Sequence, residues 1–328
     1  MEQRSVARLG TPLSAIGLGT WQLGADWGEV LEEDALAVLD AAHEAGVTVF
    51  DTADVYGDGR SEQLIGRWLA AHPDSGVFVA TKMGRREEQD PSNFTLDNFR
   101  RWTDRSRSNL GVDTLDLVQL HCPPTPVFST EAVYDDLDTL VIEGAIAHYG
   151  VSVETVEEGL AAIARPGTAS VQVILNAFRL KPLDELVPAA AEAGVAIIAR
   201  VPLASGLLSG RYTADTVFAE NDHRSYNRHG EAFDVGETFS GVDYDRGVEA
   251  AREFSKDAAT LGLAPAVAAL AWVAQQPGVT TVIPGARSVE QARTNASAGS
   301  VDALPGGFTV AVQERYDEYF RAAVHPRW

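Results

Sequence analysis

Val47-Thr48-Val49-Phe50-Asp51-Thr52-Ala53-Asp54-Val55-Tyr56-Gly57 decides how the rest of the chain is read. The turn residue Gly46 precedes a short apolar, β-branched run, the pattern of a strand buried on both faces. That run ends on a carboxylate, and a tyrosine follows five residues later. Two more apolar runs end in the same manner. Val77-Phe78-Val79-Ala80-Thr81 leads into Lys82, and Leu115-Asp116-Leu117-Val118-Gln119-Leu120 leads into His121. Only Lys82, Lys181 and Lys256 are lysines among the 26 basic residues, so a lysine at the end of an apolar strand stands out. A snorkelling lysine, a helix-capping aspartate or a satisfied core histidine would explain each residue alone. Three strands that each release an ionisable group at the same end point to a shared site, because a buried ionised group needs a partner.

Working outward, apolar runs alternate with amphipathic stretches. The runs are Ala15–Gly19, Val47–Phe50, Val77–Thr81, Leu115–Leu120, Ile146–Val151, Ser170–Leu175, Val195–Val201 and Val279–Ile283. Helices are expected over Glu32–Glu44, Glu62–Ala71, Leu96–Leu110, Thr130–Ile142, Glu154–Ala164, Leu183–Ala193 and Pro265–Gln275. Ser61-Glu62 and Ser129-Thr130-Glu131 supply start signals, and Gly46, Gly144 and Gly194 supply stops. Eight such units over roughly 270 residues predict an α/β fold, a (β/α)8 barrel. A short N-terminal hairpin is expected around Gly10-Thr11-Pro12, and extra helices over Ser288–Ala298 and Ala311–Ala323. An open doubly wound sheet is the rival, but no Gly-x-Gly-x-x-Gly lies between the first strand and the first helix. In a barrel, active-site residues sit at the C-terminal ends of the strands, where Asp51, Lys82 and His121 fall. The polar stretch from Thr213 to about Asp245 interrupts the rhythm after the seventh strand and is expected to cover the site in part.

Composition narrows the function. The chain has 328 residues, 45% of them hydrophobic, enough for a large core. No composition break divides it, so residues 1–328 read as one barrel domain. The single cysteine, Cys122, excludes an intrachain disulfide and fits a reducing cytoplasm. No run approaches ~18 apolar residues, and Met1-Glu2-Gln3-Arg4-Ser5 lacks the apolar centre of a signal peptide. A formal charge of −21 argues against nucleic acid or an anionic membrane as partner. Nothing in the sequence specifies an oligomeric state or a metal site.

An aspartate, a tyrosine, a lysine and a histidine around one pocket have a definite chemistry. A phenol, with a reference pKa of about 10, is a reluctant acid at neutral pH. A nearby ammonium lowers that value, and a carboxylate beyond it keeps the ammonium charged. Asp51, Lys82 and Tyr56 would then make a tuned general acid, with neutral His121 orienting a substrate oxygen. This suits protonation of a carbonyl oxygen while something else attacks the carbon; if the attacker is hydride, a nicotinamide must bind beside these groups. After the seventh strand, Pro202, Leu203, Gly206, Ser209 and Arg211 belong to a Gly/Ser loop able to meet a pyrophosphate. After the eighth, Gly285 and Arg287 open a helix whose N-terminus favours anions, and Arg287 could grip a further phosphate as a planar fork.

The chain resembles an aldo-keto reductase nearly end to end. The likeness is carried by Gly17-Leu18-Gly19-Thr20-Trp21, Asp51 to Gly57 with Ser61-Glu62, Ala80-Thr81-Lys82 and Leu110-Gly111-Val112-Asp113 leading to Gln119-Leu120-His121. It continues through Tyr149-Gly150-Val151-Ser152, Pro202-Leu203 with Gly206-Leu207-Leu208, and Val282 to Arg287 with Gln291 and Asn295. The resemblance implies a (β/α)8 fold of the bacterial and potassium-channel-β-like branch and NADPH as cofactor. It implies a catalytic tetrad at Asp51, Tyr56, Lys82 and His121, and a small carbonyl or alcohol substrate. Ser152 and Gln172 are expected at the nicotinamide carboxamide, with Arg287, Gln291 and Asn295 at the adenosine phosphate and adenine. Thr20, Trp21 and Arg200 are expected among the cofactor contacts, and Trp21, Trp27, Tyr56 and His121 at the substrate. Two departures stand out: Arg200 occupies a position where many relatives stack an aromatic ring, and Val153 one where relatives often have Asn. Two other readings share these residues. A nucleotide-binding regulatory subunit would keep the fold with little turnover, and a Schiff-base lyase would use Lys82 as nucleophile. The lyase needs a depressed lysine pKa, whereas Asp51 should raise it.

Overall fold

Period-two alternation inside a closed ring of strands is what gathers the polar residues of this chain at one place. In the computed structural model, which describes residues 1–24 and 30–328, eight parallel strands form one sheet. A two-residue hairpin, β1 (Gln3–Arg4) with β2 (Leu13–Ser14), precedes them. The barrel strands are β3 (Leu18–Gly19), β4 (Val49–Asp51), β5 (Phe78–Met83), β6 (Leu115–His121), β7 (Ile146–Ser152), β8 (Thr168–Ile174), β9 (Ala196–Arg200) and β10 (Val279–Val282). Bridges Ile16–Val282 and Gly19–Gly285 bring β3 against β10 and close the ring. A methyl group on Gly19 would sit 3.0 Å from the Ile283 carbonyl oxygen, so this closure is tight and favours glycine.

Between strands lie α1 (Glu32–Glu44), α2 (Arg60–Ala71), α3 (Leu96–Leu110), α4 (Glu131–Ile142), α5 (Val156–Ile163) and α6 (Leu186–Ala193). Then come α7 (His223–Tyr226), α8 (Tyr244–Thr260), α9 (Pro265–Ala274), α10 (Val289–Ser297), α11 (Gly306–Tyr319) and α12 (Arg321–Val324). Their apolar faces and the outward strand residues make the larger core, with Phe50, Trp68, Leu120 and Val151 in it. A smaller inner core fills the barrel: Val49, Phe78, Ala80, Leu117 and Ile198, with Leu9 and Leu13 of the hairpin segment. Side chains alternate along a strand, so two residues above this inner layer come Asp51, Lys82, Gln119 and Arg200. The apolar plug is therefore capped by a polar layer at the C-terminal end of the strands.

Several boundaries differ from expectation for physical reasons. Lys82 and His121 lie within their strands, because the parallel ladder continues through the pairs Lys82–Gln119 and His121–Ser152. Helix α8 was not among the expected elements. Its densely charged outer face hides a buried stripe of Val248, Ala251, Phe254 and Ala258. Ser61 does not cap α2: Gly59 occupies the cap position in the left-handed conformation. Thr130 precedes α4, but its hydroxyl donates to the Pro126 carbonyl (2.9 Å) instead of capping. Among the described residues no single helix is long and apolar enough to cross a membrane.

Candidate active site

Asp51, Lys82 and His121 arrive on adjacent strands with inward-facing side chains, all buried. Lys82 Nζ donates to Asp51 Oδ1 (2.5 Å) and to the Thr52 carbonyl (2.9 Å), and lies 3.4 Å from the Tyr56 hydroxyl. Burial works against the charged lysine, yet Asp51 and then Tyr56 reverse the effect and raise its pKa above the usual value. Lys82 is thus an ammonium, which removes the Schiff-base reading's nucleophile. The amides of Gln172 (2.7 Å) and Gln119 (3.5 Å) reach the other carboxylate oxygen of Asp51.

Tyr56 comes from the loop after β4. That loop is seated by backbone contact: Gly57 has φ +58° and packs so tightly that a methyl group there would be 2.0 Å from the Gly24 carbonyl oxygen. A buried hydroxyl relay holds the neighbouring segments. Thr52 Oγ1 donates to Ser61 Oγ (2.9 Å), which donates to Thr20 Oγ1 (2.8 Å), which donates to the Asp51 carbonyl (2.8 Å). Ser61 serves this relay, and Thr20, expected at the cofactor, is a hub of it as well as a cavity-wall residue.

The expected lowering of the phenol by Lys82 is outweighed. Burial pushes the Tyr56 pKa up, Lys82 pulls it down, and Asp51 and Glu237 push it up again, with a net rise. The phenol therefore carries its proton throughout the neutral range. His121 goes the other way: burial first, then the charges of Arg85, Lys82 and Arg200, lower its pKa well below the ordinary value. It is neutral, its Nδ1 has no hydrogen-bond partner among the described residues, and its ring meets that of Tyr56 edge-on at 6.0 Å.

Two adjoining cavities, about 210 and 470 Å³, share Trp21, Tyr56, His121 and Glu237 as their common wall. The inner one reaches Gln172, Arg200, Pro202, Leu203, Gly206 and Gly285, six residues expected at a cofactor. The outer one is rimmed by Val55, Arg85, Asn221, Tyr226 and Phe233. Trp21 lies over Tyr56 with ring centroids 6.0 Å apart. Trp27, expected at the substrate, falls outside the described residues. The segment expected to cover the site does so: His223, Arg224 and Glu237 reach the inner cavity and Asn221, Tyr226 and Phe233 the outer one.

Other expected cofactor residues are already engaged within the protein. The Ser152 hydroxyl is 2.8 Å from Cys122 Sγ. Arg200 donates to Glu154 Oε1 (2.9 Å) and to the Val153 carbonyl (3.2 Å). Ser209 Oγ donates to the Gly206 carbonyl (2.6 Å), and Arg211 is exposed beside it. Around α10, Ser288 caps the helix, Gln291 Oε1 accepts from the Arg287 N–H (2.8 Å), and Asn295 donates to the Gly285 carbonyl (3.1 Å). Arg287 is exposed, and among the described residues no carboxylate pairs with its side chain, whereas Arg293 pairs with Glu44 (3.1 Å). Backbone strain marks the loop that walls the inner cavity. Val201, Ala204 and Ser205 hold φ values of 52°, 47° and 54° ahead of Gly206 at 98°. Left-handed backbone at non-glycine residues costs roughly 1–3 kcal/mol each and clusters where ligands are held.

The model of the aldo/keto reductase family matches residues 15–308. This chain belongs to that family. It is an NAD(P)H-dependent oxidoreductase, as the resemblance in its motifs led us to expect. The reductase is 32% identical over 279 residues to the aldo-keto reductase str7 of Strobilurus tenacellus, across 82% of this chain and 77% of that one. It is 29% identical over 291 residues to the NADP(+)-designated aldo-keto reductase yakc of Schizosaccharomyces pombe, across 86% and 82% of the two chains. Among solved structures, a glycerol dehydrogenase of Gluconobacter oxydans superposes with a TM-score of 0.79 at 28% identity, over 97% of this chain and 95% of that one. An aldo-keto reductase of Klebsiella pneumoniae in complex with NADPH gives 0.71 at 25% identity, over 96% of each chain.

What the motif reading missed is the charged wall. Half-buried Arg85 and Glu154 and buried Arg200 and Glu237 form a cluster, with Arg85 Nη2 2.9 Å from Glu237 Oε1. Glu154 is pushed up to about 7, chiefly by burial, while Arg85 and Arg200 overcome burial and hold Glu237 low. The four positions lie on four separate segments, and no local spacing links them.

Asp54, the second carboxylate of the opening stretch, is fully buried, and among the described residues neither carboxylate oxygen has a hydrogen-bond partner. Burial and then Glu62 push its pKa up to about 7. As pH rises from about 4 to 7, the unfolded chain sheds a proton that the folded chain keeps. Stability falls over that window, by up to about 4 kcal/mol at 1.36 kcal/mol per unit. Asp54→Asn removes this loss but leaves a buried amide to satisfy. We expect the variant to gain about 1–2 kcal/mol at pH 8 and nothing at pH 4 in urea melts. Equal effects at the two pH values would remove Asp54 from the titration.

Proposed function

We propose that the reductase interconverts an aldehyde or ketone and the corresponding alcohol, with Tyr56 delivering or taking the oxygen-bound proton. The observation that carries this reading is the meeting of Tyr56 and His121 on the wall shared by the two cavities, with Lys82 Nζ 3.4 Å from the Tyr56 hydroxyl. A nicotinamide dinucleotide in the inner cavity would supply or accept the hydride. In the outer cavity, the Tyr56 hydroxyl donates a proton to the carbonyl oxygen, and neutral His121 hydrogen-bonds the same oxygen and orients it. Lys82, kept charged by Asp51, stabilises negative charge that develops on the phenolic oxygen. Trp21 and the covering segment exclude water from that wall. The test is a panel of aldehydes and ketones with NADPH, followed by the matching alcohols with NADP, read at the nicotinamide absorbance. Steady turnover of at least one pair supports the reading. A single burst with no turnover on any of them would identify a nucleotide-binding subunit instead.

NADPH is favoured over NADH on this reading because Arg287 stands at the start of α10 with an exposed guanidinium. There it can join the helix N–H groups around the 2′-phosphate. Arg287→Ala should weaken NADPH by roughly 2–3 kcal/mol, the scale of a lost charge-assisted contact, and leave NADH nearly unchanged. Titration of both cofactors by quenching of tryptophan fluorescence checks this. Equal losses for the two would take Arg287 away from the phosphate.

A further inference from the structure

The two charged side chains among the described residues that line the outer cavity are Arg85 and Glu237. They come from separate segments, Arg85 from just after β5 and Glu237 from the covering segment, and meet at 2.9 Å. Behind them Arg200 pairs with Glu154 at 2.9 Å, while the cross-pairs Arg85–Glu154 and Arg200–Glu237 are both 3.7 Å. Each arginine thus has its own near carboxylate. With side chains 22% and 9% exposed, Arg85 and Glu237 are only partly screened by water, so their charges are felt across the cavity. A second charge brought there by a substrate would be desolvated against a pair that is already satisfied.

We propose that Glu237 is a specificity-determining residue that neutralises Arg85 and makes the outer cavity select uncharged carbonyl compounds over carboxylate-bearing ones. This rests on the carbonyl-reducing reading above. Glu237 contributes no atom to the proton transfer. From the wall it shares with Tyr56 and His121, it sets the charge that a substrate group beside Arg85 meets. Removing the carboxylate exposes Arg85 as a docking point for an anionic group, because a guanidinium binds a carboxylate through two parallel N–H donors. Removing Arg85 exposes Glu237 and repels the same group. The two substitutions should therefore move specificity in opposite directions, which a merely structural role for the pair would not do.

The experiment compares 4-nitrobenzaldehyde with 4-carboxybenzaldehyde, which are close in shape; they differ by one negative charge and in the activation of the carbonyl, and the second factor cancels when variants are compared with the parent. Both are assayed with NADPH at pH 7.5 on the parent, Glu237→Gln and Arg85→Gln. The parent should prefer the nitro compound by at least about 10-fold in kcat/KM. Glu237→Gln should lower that preference by about 10-fold or more, mostly through KM of the carboxylate substrate, and Arg85→Gln should raise it. Added salt should shrink both shifts. A parental preference for the carboxylate compound, or ratios within twofold of parent in both variants, overturns the proposal. If one variant does not fold, the sign of the shift in the other decides. Failure of the underlying reading looks different: neither aldehyde would be turned over by the parent.

Discussion

Tyr56→Phe should lose turnover by a factor on the order of 10²–10⁴, the usual worth of a positioned general acid, while binding the cofactor as the parent does. Among the described residues the phenol is the one proton donor that sits on the wall between the two cavities and also contacts the buried ammonium, 3.4 Å from Lys82 Nζ. Burial keeps it protonated across the neutral range, so carbonyl reduction by the parent should show no loss from phenol ionisation at neutral pH. Phenylalanine keeps the ring and its contacts with Trp21 and His121 and removes only the hydroxyl. The expected loss should therefore fall in kcat with little change in KM, as for an interaction made chiefly in the transition state. The measurement is kcat and KM for one good carbonyl substrate together with cofactor Kd. A variant with near-parental kcat takes Tyr56 out of the chemistry and leaves His121 as the remaining neutral donor at that wall.

Lys82→Met should damage both catalysis and stability, and pH separates the two effects. Without the ammonium the phenol loses the one influence that pulls its pKa down most, so it becomes a weaker acid. We expect kcat to fall on the order of 10²-fold or more. Asp51 is left buried with two amides as partners and no cation. Stranding one member of a buried ion pair costs about 3–5 kcal/mol. The sign with pH follows from linkage. A carboxyl stranded in this way binds its proton more tightly folded than unfolded, so the variant loses stability as pH rises from the unfolded carboxylate value. Urea melts should then show a deficit that is small near pH 4 and largest at pH 8. A deficit independent of pH would mean that Asp51 is compensated by other groups and that the pair matters less than its geometry implies.

The main features of the fold could be read from local pattern. β-branched runs alternating with amphipathic stretches are a one-dimensional signal, and parallel strands in a ring must all end on the same face. Asp51, Lys82 and His121 at three strand ends therefore implied a common site before any contact was known. The aldo/keto reductase motifs extended that reading to the inner cavity, where Gln172, Arg200, Pro202, Leu203, Gly206 and Gly285 are found together. Local pattern failed where charge density masked a buried stripe, as in α8. It also failed where residue type suggested a cap but the side chain was used elsewhere, as for Ser61.

What only the tertiary structure decided is the balance of large opposing electrostatic effects. Sequence proximity of Tyr56 to Asp51, and the expected company of Lys82, set the cast but not the sign of the phenol's shift. Lys82 lowers its pKa, while burial and two carboxylates raise it, and the outcome depends on depths and distances of a few ångströms. The Arg85–Glu237 pair is a sharper case. Glu237 lies in the long covering segment, 152 residues beyond its partner, and nothing in either neighbourhood marks them as a pair. Their meeting follows from how that segment folds back over the barrel mouth. Periodicity is a property of the chain and survives in the sequence alone. Charge complementarity between remote segments is a property of packing, and it exists only once the barrel has brought them together.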